Sequence, residues 1–309
     1  MIQVLRTVNY QVGGHRFCVS GEEKFLTLME NYAPFVLHNG DGSSANDRSV
    51  ALQSPQVFAL TIDNGECPAY SEELRQEEEG QEIVCGKTAD GEPVFEFRWW
   101  EKTAGWLVCS EDYREGRLVT TGRYTKMAVD NALMVLYALA TAAAGTVLFH
   151  AAVVSHEGKG YMFLGPSGTG KSTHAGLWVR HIAGAVLVND DNPVVRLAED
   201  GSPVVYGSPW SGKTPCYRNV SYPLGGIVLL SQAPYNKIRR LGGIHAYASL
   251  VASISGKRWD SRVADGLHAT ENALASTVPV WHLECLPDEA AAKLCSLNIH
   301  GRPNGLKIE

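Results

Sequence analysis

The alternation of apolar and polar positions divides the chain into two regions. In the first region, short apolar and aromatic runs such as residues 57–62 and 94–100 alternate with polar stretches such as residues 71–82. Short apolar runs bounded by turn-forming residues are typical of β-strands. Residues 1–125 are therefore predicted to form a β-rich domain, with an antiparallel sheet connected by turns. No catalytic or ligand-binding motif is recognised in this domain.

The second region mixes helical and strand-like segments. Apolar residues recur at helical spacing over residues 126–144, and Gly145 is a suitable stop. Further strands are predicted at 146–154, 161–165, 184–190, 224–232 and 278–286, and further helices from Ser172, over 264–276 and over 287–298. This order predicts an α/β domain over residues 126–309, in which helices cover a mixed sheet.

One apolar stretch is long enough to cross a membrane. Residues 132–154 contain no Asp, Glu, Lys or Arg, and length alone would permit a transmembrane helix. Gly145 and Thr146 divide the stretch, however, into an Ala-rich half with helical spacing and a β-branched half. We therefore expect a buried helix followed by a buried strand, and no membrane partner.

Composition and charge narrow the function classes. Apolar residues make up 45% of the 309 residues, and the formal net charge is −6. Nucleic-acid binding is not expected, because such proteins usually carry a basic excess. The seven cysteines include no CxxC pair, which disfavours a zinc site and favours reduced thiols in the cytoplasm. The N-terminus shows no signal-peptide pattern. The oligomeric state stays open.

A glycine-rich segment follows the strand predicted at 161–165. The residues GPSGTGKS, from Gly165 to Ser172, fit the GxxxxGK[ST] pattern of a phosphate-binding loop. Glycines let several backbone N–H groups converge on one phosphate, Lys171 reaches the β- and γ-phosphates, and Ser172 can bind Mg²⁺. The alternative is an ordinary glycine-rich turn. The candidate nucleotide-binding residues are Gly165, Pro166, Ser167, Gly168, Thr169, Gly170, Lys171, Ser172 and Thr173.

Two adjacent carboxylates end the strand predicted at 184–190. An Asp after an apolar strand, beside a phosphate-binding loop, commonly holds Mg²⁺. Adjacent side chains on a strand point to opposite sides, so one carboxylate can face the metal while the other accepts a proton from an incoming hydroxyl. We assign Asp191 to the metal with Ser172, and Asp190 to the base. The two aspartates could equally have the opposite roles. The alternative to a functional pair is an ordinary turn.

Further charged side chains are candidates for a role in catalysis or metal binding. Phosphoryl transfer needs cations on the developing charge, and Lys213 or Arg218 in the segment 207–219 could supply them. An ordinary surface loop is the alternative. His156, His174 and His181 flank the glycine-rich segment without a convincing set of metal-ligand partners, so no role is assigned to them.

Taken together, these segments resemble a known family. Three features resemble the catalytic domain of HPr kinase/phosphorylase and, more broadly, the phosphoenolpyruvate carboxykinase-type nucleotide-binding fold. They are a histidine on the strand before the one that leads into the glycine-rich segment, the segment itself and the Asp190–Asp191 pair. The resemblance covers residues 145–298. It implies a P-loop core and a place for His150 near the transferred phosphate. The chain departs from that family at Thr173, where Glu is usual.

The function expected from these residues is ATP-dependent phosphoryl transfer. The chain would bind ATP and Mg²⁺ and transfer the γ-phosphate to a hydroxyl of a protein serine or a small metabolite. The candidate catalytic residues are Asp190, Lys171, His150, Lys213 and Arg218. The rival expectation is a nucleotide-binding module without turnover that docks a partner. Carboxykinase activity is the weakest expectation, because the chain is much shorter than those enzymes.

Overall fold

The chain forms a mixed α+β structure with two large mixed sheets and few helices. A computed structural model describes residues 5–38 and 55–300. The chain divides into two compact units, residues 1–141 and 142–309. The sequence placed the division at 125/126 instead. The difference is the helix that follows residue 124, which packs on strands of the first unit.

The first unit contains an eight-stranded sheet. Its order is β1-β2-β3-β8-β7-β6-β5-β4. The β-rich prediction is confirmed, but the sheet is mixed rather than antiparallel, because β3 runs parallel to both β2 and β8. The strands are β1 (Arg6–Val12), β2 (His15–Gly21), β3 (Gln56–Asn64), β4 (Tyr70–Glu78), β5 (Gln81–Thr88), β6 (Pro93–Trp99), β7 (Lys102–Cys109) and β8 (Glu115–Thr120).

Among residues 5–38 and 55–141, the first unit has two short helices and one long one. Helix α1 (Glu23–Leu26) and a 3₁₀ helix (Glu30–Phe35) follow β2, and α2 (Thr125–Thr141) follows β8. Helix α2 packs on β3, β7 and β8, and the Tyr137 hydroxyl donates to the Val12 carbonyl at 3.0 Å. The helical stretch Thr125–Ala144 is long and apolar enough to cross a membrane, and half of its most apolar window is buried within the protein.

In the described residues, the second unit contains a ten-stranded sheet and four α-helices. The helices are α3 (Lys171–His181), α4 (Gly243–Val251), α5 (Ser261–Thr277) and α6 (Glu289–Ile299), with a 3₁₀ turn at Ala142–Ala144. The strands are β9 (Thr146–Phe149), β10 (Ala151–His156), β11 (Lys159–Leu164), β12 (Val186–Asn189), β13 (Val194–Leu197), β14 (Pro203–Tyr206), β15 (Ser221–Gln232), β16 (Lys237–Leu241), β17 (Ile254–Ser255) and β18 (Val280–Cys285).

The sheet of the second unit folds back on itself. Its path is β12-β10-β11-β15-β14-β13-β9-β17, with β18 joining β15 and β16. Strands β9 and β10 are five pairings apart along this path, yet only His150 separates them in the chain. The strand predicted at 146–154 is therefore two strands with a bend at His150. The long strand β15 belongs to both parts of the sheet, because β14 pairs with its first half and β18 with its second half.

A ring cluster on one face of this sheet holds α3 and α6 in place. Trp178 of α3 is fully buried and lies 5.6 Å, between ring centroids, from both Tyr161 and Phe163 of β11. The Trp178 indole N–H donates to His174 Nε2 at 3.2 Å. Burial lowers the pKa of His174 from 6.5 to about 4, so this imidazole is neutral and serves as an acceptor in the core.

The tight crossing of α5 over the 3₁₀ turn yields a first prediction. A Cβ on Gly266 would lie 2.4 Å from the Ala142 carbonyl oxygen, a backbone atom that cannot step aside. We expect Gly266→Ala to destabilise the protein by about 2 kcal/mol. Gly176→Ala in α3 is the matched control, since nothing lies within 4 Å of its Cβ position, and it should be neutral or stabilising. Urea unfolding midpoints compare the two, and equal midpoints would refute the packing argument.

Buried His174 yields a second prediction. A histidine that titrates near 6.5 when unfolded and near 4 when folded binds more protons in the unfolded state between those pH values, so acid destabilises the protein there. Between pH 7.5 and pH 5, His174 should remove about 2 kcal/mol of unfolding free energy. His174→Gln keeps an acceptor for Trp178 and does not titrate. Urea unfolding at both pH values should show the smaller acid loss in this variant, and equal losses would contradict the assignment.

Candidate functional site

The glycine-rich loop adopts a backbone that only glycines permit. Residues 165–170 join β11 to α3, and the φ angles of Gly165, Gly168 and Gly170 are 151°, 77° and 106°. Residues with a Cβ rarely adopt such angles. A Cβ on Gly165 would also lie 3.2 Å from the Leu230 carbonyl oxygen of the neighbouring strand. The spacing of glycines in the sequence therefore reflects a real constraint on the loop.

The Lys171 side chain is buried beneath this loop and donates hydrogen bonds to its backbone. It is the first residue of α3 and is only 8% exposed. Its Nζ donates to the carbonyl of Gly165 at 2.9 Å and to that of Pro166 at 3.3 Å. Gly170 at the N-cap offers no side-chain cap to the helix, so the first N–H groups of α3 are suited to an anion. The loop, the ammonium and the helix start together form a region of positive potential.

Other bonds hold the loop in shape. The Thr169 hydroxyl donates to the Pro166 carbonyl at 2.7 Å, and the Gln232 amide donates to the Gly168 carbonyl at 3.1 Å. Ser172 and Thr173 lie on the exposed side of the first turn of α3. The loop is thus fastened by its own side chains and by the end of β15, while its outer surface stays accessible.

The linker between β9 and β10 lies next to the linker between β12 and β13. Strands β12 and β13 are separated by residues 190–193, just as β9 and β10 are separated by His150. The Ala151 N–H donates to the Asp191 carbonyl at 2.8 Å, and the Phe149 N–H donates to the Pro193 carbonyl at 3.2 Å. These two bonds place His150 beside the aspartate pair.

The first aspartate of the pair lines a cleft at the start of α3. Asp190 is 4% exposed, and its Oδ2 accepts from the Thr214 N–H at 3.2 Å. The cleft has a volume of ≈ 320 Å³. Ser172 lines the same cleft, so the structure brings Ser172 together with Asp190. The full lining is Ser172, Gly176, Val179, Arg180, Leu187, Asp190 and Thr214.

The second aspartate faces different neighbours. The Asp191 Oδ1 lies 4.0 Å from Nδ1 of His150, and its Oδ2 accepts from the Asn192 side-chain amide at 2.8 Å. Both Asp191 and His150 are about one-third exposed. The two adjacent carboxylates therefore have separate surroundings, one beside Ser172 and one beside an imidazole.

The loop of residues 207–219 is anchored beside the aspartates. Buried Asn189 donates to the Ser208 hydroxyl at 3.0 Å and to the Trp210 carbonyl at 3.2 Å. Lys213 and Arg218 lie exposed on this loop. Lys213 immediately precedes Thr214, whose N–H contacts Asp190. Burial raises the pKa of the Cys216 thiol on the same loop, and the positive charge of Arg218 partly opposes that rise.

Sequence reasoning missed three residues that shape the site. Asn189 and Ser208 are completely buried and join the end of β12 to the loop of residues 207–219, and Thr214 positions Asp190. A polar Asn before two aspartates was a usable signal, because a buried amide needs hydrogen-bond partners. No sequence pattern pointed to Ser208 or Thr214, which depend on a long-range contact.

Comparison with known proteins corrects the family suggested by the sequence. The profile of the SynChlorMet cassette protein ScmC matches residues 119–285, more than half of the chain. The curated proteins give no match. The assignment to the HPr kinase/phosphorylase or phosphoenolpyruvate carboxykinase families is therefore wrong. It relied on a short set of phosphate-site residues, which phosphate chemistry can require in unrelated families. The chain belongs to the family of the SynChlorMet cassette protein ScmC.

Proposed function

We propose that this protein is a kinase that uses ATP and Mg²⁺ to phosphorylate a hydroxyl group. The observation that carries the proposal is the cleft shared by Ser172 and Asp190 at the start of α3, beside the loop that surrounds Lys171. A hydroxyl, a carboxylate and a buried ammonium next to a glycine-rich turn are the groups that a nucleoside triphosphate with its metal requires. In this proposal the second unit has a P-loop nucleotide-binding core.

The phosphate groups would be held by backbone and charge. The loop of residues 165–170 and the first turn of α3 supply N–H groups, and Lys171 supplies a compact positive charge. The Lys171 ammonium donates to two backbone carbonyls of the loop. Phosphate oxygens are stronger acceptors than carbonyls, so the ammonium can exchange those bonds for contacts to the β- and γ-phosphates.

The metal would be held by Ser172 and Asp190. Both offer oxygen ligands, which Mg²⁺ prefers, and both line the cleft. Mg²⁺ at this place would neutralise charge on the phosphates. The sequence left open which aspartate binds the metal, with Asp191 as the first choice. We propose the exchanged roles, because Ser172 shares its cleft with Asp190 and Asp191 is turned toward His150.

Asp191 would then serve as the base for the acceptor. Its carboxylate can accept the hydroxyl proton while the acceptor oxygen bonds to the γ-phosphorus and the bond from that phosphorus to the β-phosphate oxygen breaks. His150, 4.0 Å from Asp191, lies where it can orient this carboxylate. ADP and a phosphorylated hydroxyl are the products.

The exposed cations would complete the site. Lys213 and Arg218 lie on the loop anchored at Asn189 and Ser208, close enough in the chain to Thr214 to reach over the cleft. Cations at this position stabilise charge on the transferred phosphoryl group. The acceptor is a protein serine or a small metabolite with a hydroxyl. The cysteine usage fits a reaction in the cytoplasm.

Turnover tests the proposal. The purified full chain should form ADP from Mg-ATP only when a pool of hydroxyl metabolites or a cell lysate is added. Asp191→Asn should lower the rate by roughly 10²–10⁴-fold, the usual contribution of a general base, and Asp190→Asn should abolish it. Asp200→Asn is the matched control, because Asp200 is a surface carboxylate that caps its own turn.

Two results would count against a kinase. ATP binding with no ADP formation in the presence of either acceptor source would leave a nucleotide-binding module that docks a partner. ADP formation that neither active-site variant reduces would point to a contaminating enzyme or to a different site.

A further inference from the structure

A histidine pair that shares no residue with the proposed kinase cleft forms a second candidate site. His156 ends β10, Glu157 begins the following turn, and His300 follows α6. The three residues are brought together by the fold, and their potential ligand atoms lie within 4.8 Å of one another. Sequence spacing does not pair His156 with His300, because the two residues lie 144 positions apart.

The outer nitrogen of each ring faces a backbone carbonyl. His156 Nε2 lies 3.1 Å from the Ala183 oxygen, and His300 Nδ1 lies 2.6 Å from the Ser296 oxygen. A carbonyl oxygen can only accept, so each of these nitrogens carries the proton. The Ser296 hydroxyl is farther from the His300 Nδ1, at 3.3 Å. In neutral rings, the remaining nitrogens are therefore both acceptors.

Those two remaining nitrogens face each other. His156 Nδ1 and His300 Nε2 are 2.8 Å apart. Two lone pairs at this distance repel each other unless a cation lies between them. That cation is either one shared proton or a metal ion. The carboxylate of Glu157 favours a doubly charged ion, since it adds an anionic oxygen to the two neutral nitrogens of the same cluster.

The cluster has the ligand types of a transition-metal site and the hydrogen bonds that usually orient such ligands. Two imidazole nitrogens and one carboxylate are a common ligand set for Zn²⁺ that leaves a fourth position open. Nitrogens at about 2.0–2.1 Å from zinc with a tetrahedral angle are roughly 3.4 Å apart, so a small separation of the rings admits the ion. Ligating histidines usually donate their other N–H to a carbonyl or carboxylate, as both rings do here.

The third potential ligand lies in the turn between β10 and β11. Glu157 has a φ of 48° and Gly158 a φ of 74° in the hairpin between β10 and β11. Two-residue hairpin turns with positive φ at both positions favour Asn, Asp or Gly at the first. A glutamate there is strained, and its longer carboxylate side chain reaches toward the two rings.

We propose that His156, Glu157 and His300 bind a zinc-class divalent ion that clips the end of α6 to the β10–β11 hairpin. The aromatic rings around them hold the histidines in place. Tyr161 and Trp178 lie 4.7 Å and 5.8 Å from the His300 ring. This inference does not depend on the proposed kinase activity, because the site uses none of the residues of the cleft.

The test is zinc binding by the full chain after chelator treatment, without nucleotide. Calorimetry should give one Zn²⁺ per chain, and zinc should raise the melting temperature. His156→Gln and His300→Gln should each weaken binding at least tenfold and remove the shift. His245→Gln is the matched control, because His245 is an exposed histidine of the same unit, and it should bind like the wild type.

Glu157→Asn separates ligation from folding. Asn suits the positive φ at this turn, so the variant should melt at a higher temperature than the wild type without metal, yet bind Zn²⁺ at least tenfold more weakly. A metal-free chain that binds no Zn²⁺, or binding that none of the three variants weakens, would overturn the proposal. A titration by NMR that shows one shared proton between the rings and no metal binding would replace the ion with that proton.

Discussion

The fold-back of the second sheet is the constraint on which the proposed site depends. Strands β9 and β10 bend at His150, and β12 and β13 bend at residues 190–193. Two backbone hydrogen bonds, from Ala151 to Asp191 and from Phe149 to Pro193, keep these bends side by side. Because both crossings occur at one place, polar side chains emerge there together, next to the glycine-rich loop that follows β11.

This constraint also gives two adjacent carboxylates different surroundings. Neighbouring residues leave an extended chain on opposite sides, so Asp190 lies in the cleft with Ser172 while Asp191 faces His150. Asn189 and Ser208, both fully buried, fasten the nearby loop to the strand end. The anchoring holds Thr214, the residue after Lys213, against Asp190. The chemistry we propose rests on that separation of roles.

Much of the local structure could be predicted from the sequence, and the long-range structure could not. Helix α2 and the loop after β11 follow from apolar spacing and from glycines with positive φ. The bend at His150 has no local signal, because an unbroken apolar strand and two strands folded back look alike in sequence. The polar residues 71–82 are predicted to separate strands, yet β4 (Tyr70–Glu78) is an exposed strand there. The resemblance to HPr kinase/phosphorylase is wrong because a short glycine-rich segment and a pair of aspartates recur across folds. The His156–His300 pair is formed by tertiary contact alone.

The most direct test of the account is the effect of Mg²⁺ on ATP affinity in the two aspartate variants. Equilibrium binding of ATP would be measured with and without Mg²⁺ for the wild type, Asp190→Asn and Asp191→Asn. The account predicts that Mg²⁺ tightens ATP binding in the wild type and in Asp191→Asn, and that this tightening is lost in Asp190→Asn. Loss of the Mg²⁺ effect in Asp191→Asn with its retention in Asp190→Asn would contradict the assignment, and no ATP binding by the wild type would contradict the site itself.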